Sequence, residues 1–156
     1  MKKVFIDSDV FVRDLRYPRD KRSAINKRFL EKVKSRKIHG VTSIFNLLEI
    51  CGILSFNLSE DQLIGLYGDF CNHYKVQVFF PSDASGNLQY DIPEIFRHIQ
   101  KKNSLGDAQV HYIVERFSDQ LSQFVSWNAN HFEDKIALPV KTPECILGDV
   151  SLSITC

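Results

Sequence analysis

The sequence predicts an α/β layer fold around a mostly parallel sheet of about five strands. Three observations predict it. Short apolar runs alternate with longer segments of helical periodicity along the whole chain. A helical segment stands between successive runs, as parallel neighbours require. The chain has 156 residues, 44% hydrophobic and 25% charged, with 12 Phe, which suits one domain (1–156) with a sizeable core.

The elements follow in order. Lys3–Ile6 reads as a short buried strand. Residues 20–37 read as an amphipathic helix with Ile25, Phe29, Leu30 and Val33 on one side. A strand at 38–42 precedes a helix capped by Ser43 and running to about residue 55. Ser59-Glu60-Asp61 opens a helix reaching about residue 74. Residues 76–80 form a strand ended by Pro81, and 82–91 a polar loop containing Gly86. Pro93 marks the first turn of a short helix ending near Lys102, and a further helix spans 104–118. Strands at 123–127 and 138–141 complete the sheet, and Thr142-Pro143-Glu144 starts a terminal helix. There is no repeat, low-complexity tract or linker.

Composition excludes several classes. No run of about 18 uncharged apolar residues exists, so no transmembrane helix is expected. Asp7 arrives too early for a signal peptide, and a cytoplasmic location is expected. Cys51, Cys71, Cys145 and Cys156 form no C-x-x-C pair, which argues against a cysteine zinc site or disulfide framework and for reduced thiols. Net charge is +1, but its distribution is uneven. Between Arg13 and Lys37 eleven Lys/Arg face three acids, a local +8 that leaves −7 for the rest. Such a run is either a solvated helix surface or a basic face for phosphates.

Parallel sheets place ligands beyond the carboxyl ends of their strands, so the residues after each strand are the candidates. Asp7 and Asp9 flank Ser8 directly after the first strand, and either acid can instead cap a short following helix. Glu49 is the only charge in residues 44–54. Apolar neighbours surround it, so burial is expected, with either a metal ion or a structural ion pair keeping it ionised. Asn46, one turn earlier, is placed to orient Glu49. Asp107 forms an S-x-x-D pattern with Ser104, the start of a capping box, or else points to the rim that holds Asp7. His111, one turn on, reads as a packing or surface histidine, and Trp127 and Tyr17 as packing aromatics or base-stacking platforms. Ser126 and Asn128 follow the fourth strand, suited to hold water or a phosphate oxygen, or to form a plain turn with Asn128 as cap. Acids converging on one rim repel each other, and a hard oxygen-seeking cation such as Mg²⁺ or Mn²⁺ relieves that repulsion.

At Val4-Phe5-Ile6-Asp7-Ser8-Asp9-Val10, at Glu49 after Thr42-Ser43, at Leu105-Gly106-Asp107-Ala108 and at residues 126–132, the sequence resembles the PIN-domain nucleases, including toxins of toxin–antitoxin pairs. These pieces follow the family's order over nearly the whole chain. The resemblance implies a three-layer α/β/α sandwich. It implies an endoribonuclease that hydrolyses RNA through a metal-activated water, with Asp7, Glu49 and Asp107 holding Mg²⁺ or Mn²⁺. Ser126 looks like the family's hydroxyl after the fourth strand, with Ser8 and Asp9 in support. Asn128 stands where many members carry a fourth acid, and Asp9 where an Asn is common. Arg13, Arg16 and Arg19 are expected to grip RNA backbone. A small antitoxin and a homodimer are the partners the family implies.

Two other readings stand beside this one. Phe5-Ile6-Asp7-Ser8-Asp9-Val10 also resembles the opening of haloacid-dehalogenase-type phosphatases, with Asp7 as nucleophile, Asp9 as acid/base and Thr42 or Ser43 as the second-strand hydroxyl. Alternatively, the chain is a PIN-like module that binds RNA or protein without cleaving.

Overall fold

A computed structural model describes residues 2–83 and 85–149, and of Asp149 only the backbone. Along the chain run β1 (Lys3–Ile6), α1 (Ser8–Arg16), α2 (Ser23–Lys34), β2 (Gly40–Ser43), α3 (Ile44–Leu54), α4 (Glu60–Tyr74) and β3 (Gln77–Phe79). Then follow α5 (Ile92–Gln100), α6 (Leu105–Arg116), β4 (Leu121–Val125), α7 (Ala129–Phe132), β5 (Val140–Lys141) and α8 (Pro143–Asp149). The five strands form one sheet in the order β3-β2-β1-β4-β5, every pair parallel.

Alternate residues of a strand point to opposite faces, and the core divides accordingly. Ile6 and Val125 join Val10, Phe29, Val33, Leu47, Ile50, Phe70, Tyr74 and Ile146 on the face covered by α1, α2, α3, α4 and α8. Phe5, Val41, Phe79 and Phe124 meet Ile95, Ile113 and Phe132 under α5, α6 and α7. Phe5 stacks on Phe124 with ring centroids 5.3 Å apart. The result is a three-layer α/β/α sandwich. Gly40 is needed where α2 crosses the sheet, because a Cβ there would come within 2.8 Å of both Ile6 and Val33.

Local signals set most boundaries. Ser43, Ser59 and Ser104 cap α3, α4 and α6 with their hydroxyls, and Ser59 with Gln62 completes a capping box. Several elements depart from expectation: β2 and β5 begin two residues late, at Gly40 and Val140, and α2 ends at Lys34 rather than at 37. The helix expected at 20–37 begins only at Ser23, because the Asp20 carboxylate takes the Arg22 amide at 2.8 Å in a turn ahead of it. The strand expected at 123–127 starts two residues earlier and ends before Trp127. A bulge causes this: Lys3 pairs with Leu121 but Val4 with Gln123, so Ser122 is an extra residue that interrupts the alternation.

Cys51 is buried and Cys71 exposed, and both are thiols; Cys145 is half-buried, and Cys156 lies outside the described residues. Among the described residues, no helix is long and apolar enough to cross a membrane.

Candidate active site

The chain lays β2 and β3 on one side of β1, then returns to place β4 and β5 on the other. The switch point therefore lies between the carboxyl ends of β1 and β4, where open α/β sheets form their ligand crevice. Asp7 and Asp9 leave β1 there; Ser126 and Asn128 leave β4.

Asp7 is the N-cap of α1 and is buried. Its Oδ1 accepts from the Ser8 amide at 2.8 Å and from Asn46 Nδ2 at 3.0 Å, with Ser8 Oγ at 3.4 Å. The Ser126 hydroxyl also stands close enough to favour the Asp7 carboxylate, so Asp7 is tied both to α3 and to the residue after β4. Asn46 is fully buried and held by its own cap, since Ser43 Oγ donates to Asn46 Oδ1 at 2.5 Å. Sequence reasoning placed Asn46 beside Glu49; the structure gives its amide to Asp7 instead. The signal was present, because residue 46 is the third position of the Ser43-capped helix, next to the rim.

Asp9 reaches across the switch point. Its Oδ2 accepts from Ser126 Oγ at 2.9 Å and from the Asn128 amide at 3.1 Å, while its Oδ1 is buried with no partner. Asp7 thus caps α1, one of the two roles the sequence allows it, whereas Asp9 bonds Ser126 and Asn128 beyond β4. Asn128 occupies the N-cap position of α7, but its exposed side chain makes no capping bond.

Glu49 corrects an expectation. It is exposed, as is Leu48, because α3 buries only one side and leaves this face open to solvent. No cation pairs with it among the described residues. Instead Ser8 Oγ donates to Glu49 Oε2 at 2.5 Å and so links it to Asp7.

Asp107 stands apart from this pair. Ser104 Oγ caps the Asp107 amide at 3.1 Å and donates to Asp107 Oδ2 at 2.9 Å, and His131 Nε2 lies 3.2 Å from the same oxygen. Among the described residues, no three of Asp7, Asp9, Glu49 and Asp107 present oxygens all within 4.8 Å of one another. The structure thus joins Asp7, Ser8, Asp9, Asn46, Glu49 and Ser126 in one network, with Asp107 outside its hydrogen bonds.

The electrostatics of the network are those of a site short of positive charge. Burial pushes the Asp7 carboxyl up to about 8, and the charges of Asp9 and, less strongly, Glu49 add to it, against the nearby Ser126 hydroxyl and the Ser8 amide. Asp9 is also raised by burial, against Ser126, the amides that follow it and Arg13. Behind Asp7 stands the Asn46 amide, but the groups facing the rim are carboxylate and hydroxyl oxygens, the Oδ1 of Asp9 is buried without a partner, and the Asp7 carboxyl is raised to about 8. These features fit a hard divalent cation such as Mg²⁺ or Mn²⁺.

The basic run borders this rim unevenly. Arg13 is tied to Asp20 at 2.5 Å and lies over the Trp127 ring, so it faces inward rather than toward a ligand. Arg22 lies over the same ring at 5.1 Å and is exposed. Arg16, over Tyr17, and Arg19 are exposed. Trp127 is a packing residue: its indole donates to Asn26 Oδ1 at 2.7 Å. The two hydroxyls offered for a phosphatase are both committed, Thr42 Oγ1 to the Ile6 carbonyl at 2.8 Å and Ser43 Oγ to Asn46.

No family model and no curated protein matches the sequence. Solved structures do match the fold. The VapC20 toxin of Mycobacterium tuberculosis, described as Sarcin-Ricin loop cleaving, aligns with a TM-score of 0.52 and 14% identity over 78% of this chain and 87% of its own. VapBC2 from Rickettsia felis, bound to a DNA fragment from its promoter, gives 0.59 and 14% over 89% and 97%. FitAcB from Neisseria gonorrhoeae gives 0.57 and 14% over 90% and 97%. The chain shares their α/β/α architecture, the PIN-like fold that the resemblance implied.

Proposed function

We propose that this protein is an endoribonuclease dependent on Mg²⁺ or Mn²⁺ and the toxin of a toxin–antitoxin pair, acting on RNA in the cytoplasm. The observation that carries the reading is Asp7. A carboxyl sits at the switch point of a parallel sheet, raised first by its burial and then by two neighbouring acids, one of which, Asp9, has a buried oxygen without a partner. Asp7 and Glu49, with the orphaned Oδ1 of Asp9, are the residues that hold the cation, and Asp107 is the further acid on the neighbouring helix. Held by these residues, a divalent ion would supply Lewis-acid polarisation of the phosphate and a lowered pKa for coordinated water. Asn46 and Ser8 fix the orientation of Asp7, and Ser126 that of Asp9. The side chain of Asn128 is exposed at the rim, where it orients phosphate or water. Arg16, Arg19 and Arg22 grip the flanking backbone, which makes binding salt-sensitive. The Sarcin-Ricin loop cleaving toxin of the same fold supports an RNA substrate. Exposed Leu48, Phe56, Ile64 and Tyr67 on and between α3 and α4 support a protein partner, an antitoxin or a second copy.

A second reading, RNA or protein binding without cleavage, draws on two observations. Asp107 is engaged by Ser104 and His131, and Asn128 carries no charge. One assay separates the two. Single-stranded RNA is incubated with the protein, with and without Mg²⁺ or Mn²⁺, and the ends are mapped. Cation-dependent cleavage leaving 5′-phosphate and 3′-hydroxyl ends is expected. Retained RNA with no cleavage in either cation selects the binding module, and turnover of a small phosphomonoester selects the phosphatase.

A further inference from the structure

A second cluster of ligating side chains lies between α5 and α6. Glu94 and His98 are one turn apart on α5, and Glu115 faces them from α6. Each offers a ligand atom, and these atoms all lie within 4.8 Å of one another, the only such group among the described residues. His98 is 3% exposed, with Nε2 3.1 Å from Glu115 Oε2 and Nδ1 buried without a partner. His111 stands beside it, ring centroids 5.6 Å apart, 2% exposed, with both ring nitrogens buried and unpartnered. A neutral imidazole carries one donor and one acceptor, so this pair leaves three polar nitrogens unsatisfied in the core. Each unmet group of this kind is destabilising, a cost that a phenylalanine at either position would avoid. Both rings, with Glu115 and Asp134, line a cavity of about 320 Å³. Burial lowers both histidines, His111 to about 4, so their lone pairs are available at neutral pH. In the structure Arg97 holds the two glutamates, at 2.9 Å from Glu94 and 2.5 Å from Glu115. Its side chain is 39% exposed and able to swing into solvent.

We infer that Glu94, His98 and Glu115 form a binding site for a borderline divalent cation such as Zn²⁺, distinct from the acidic rim, with Arg97 as the counter-ion in its absence. Mixed nitrogen and carboxylate ligation suits Zn²⁺, as it does not suit Mg²⁺. The cavity that His98 and Glu115 line leaves room for water as a further ligand. A bound ion ties α5 to α6, the helix that begins with Asp107.

The test is a Zn²⁺ titration of the metal-free chain by calorimetry, in parallel with thermal melts. The Asp7→Asn protein is included so that binding at the rim is recognised. One Zn²⁺ per chain is expected to bind both wild type and Asp7→Asn. It raises Tm by about 5 °C at roughly a hundredfold excess over Kd. Glu94→Gln and Glu115→Gln, both on solvent-accessible side chains, weaken this binding about tenfold or more and cancel the Tm rise. His98→Gln does the same where it folds, and the two glutamate variants decide the matter where it does not. The inference is overturned if no Zn²⁺ binds, if binding is unchanged in both glutamate variants, or if it disappears in Asp7→Asn.

Discussion

Replacing Asp7 by Asn is expected to reduce RNA cleavage by roughly a hundredfold or more, while making the metal-free protein more stable above about pH 4. The two effects share one cause. The amide keeps an acceptor for the Ser8 amide and Asn46 and puts a neutral donor where the carboxylate faces Asp9 and Glu49. The charge that would hold a cation is lost, and with it the repulsion. The sign follows from linkage. The Asp7 carboxyl is about 8 in the folded protein against 3.8 for an ordinary aspartate, so between these values the folded state holds the extra proton. Wild-type stability therefore falls as pH rises from about 4 to about 8 and levels off beyond. Below about pH 4 the group is protonated in both states and the substitution changes little. Urea melts of both proteins at pH 4, 6 and 8, without metal, should show the Asp7→Asn advantage growing with pH. Adding Mg²⁺ or Mn²⁺ at pH 8 should stabilise wild type alone. An advantage that is flat in pH would remove the charge argument.

Trp127→Ala is expected to destabilise the fold by about 3–5 kcal/mol and to weaken RNA binding. The indole is almost wholly buried against the α1–α2 face and donates to Asn26 Oδ1 at 2.7 Å. Asn26, itself 1% exposed, passes the link on to the Val10 carbonyl at 3.0 Å. Truncation therefore opens a cavity and strands the Asn26 acceptor. It also removes the platform on which Arg13 and Arg22 lie, at 5.4 and 5.1 Å from the ring centre. Trp127→Phe keeps an aromatic ring in place, loses the hydrogen bond and part of the packing, and is expected to cost less than Trp127→Ala. Urea denaturation separates the two variants, and RNA binding measured on the Phe protein isolates the platform from the stability loss. A loss below about 1 kcal/mol in Trp127→Ala would show that the ring is not the wedge described here.

Much of this was legible in the sequence because local chemistry carried it. Val4-Phe5-Ile6 followed at once by an acid can hardly be anything but a buried strand aimed at a rim. Ser43, Ser59 and Ser104 announce their helices through the orphan amides they cap. What the sequence hid depends on partners far along the chain. The apolar surroundings of Glu49 suggested burial on several sides, yet α3 has an open face, which hydropathy alone does not reveal. Arg13 looked like one more basic residue until Asp20 and Trp127 were found to hold it. The Ser122 bulge shifted β4 because alternation is a pattern of one strand, whereas register belongs to two. Glu94 and His98 share a helix face at a spacing of four residues, but Glu115 joins them only because α5 packs on α6.

The central claim is that the rim of β1 and β4 is a divalent cation site built on Asp7. A crystal soaked in Mn²⁺ and measured at the manganese absorption edge tests it most directly. The account predicts an anomalous peak about 2.2 Å from a carboxylate oxygen of Asp7, with Glu49 bound directly or through water. A difference map with no peak at the rim, or manganese confined to carboxylates elsewhere while Asp7 keeps its proton, would contradict it.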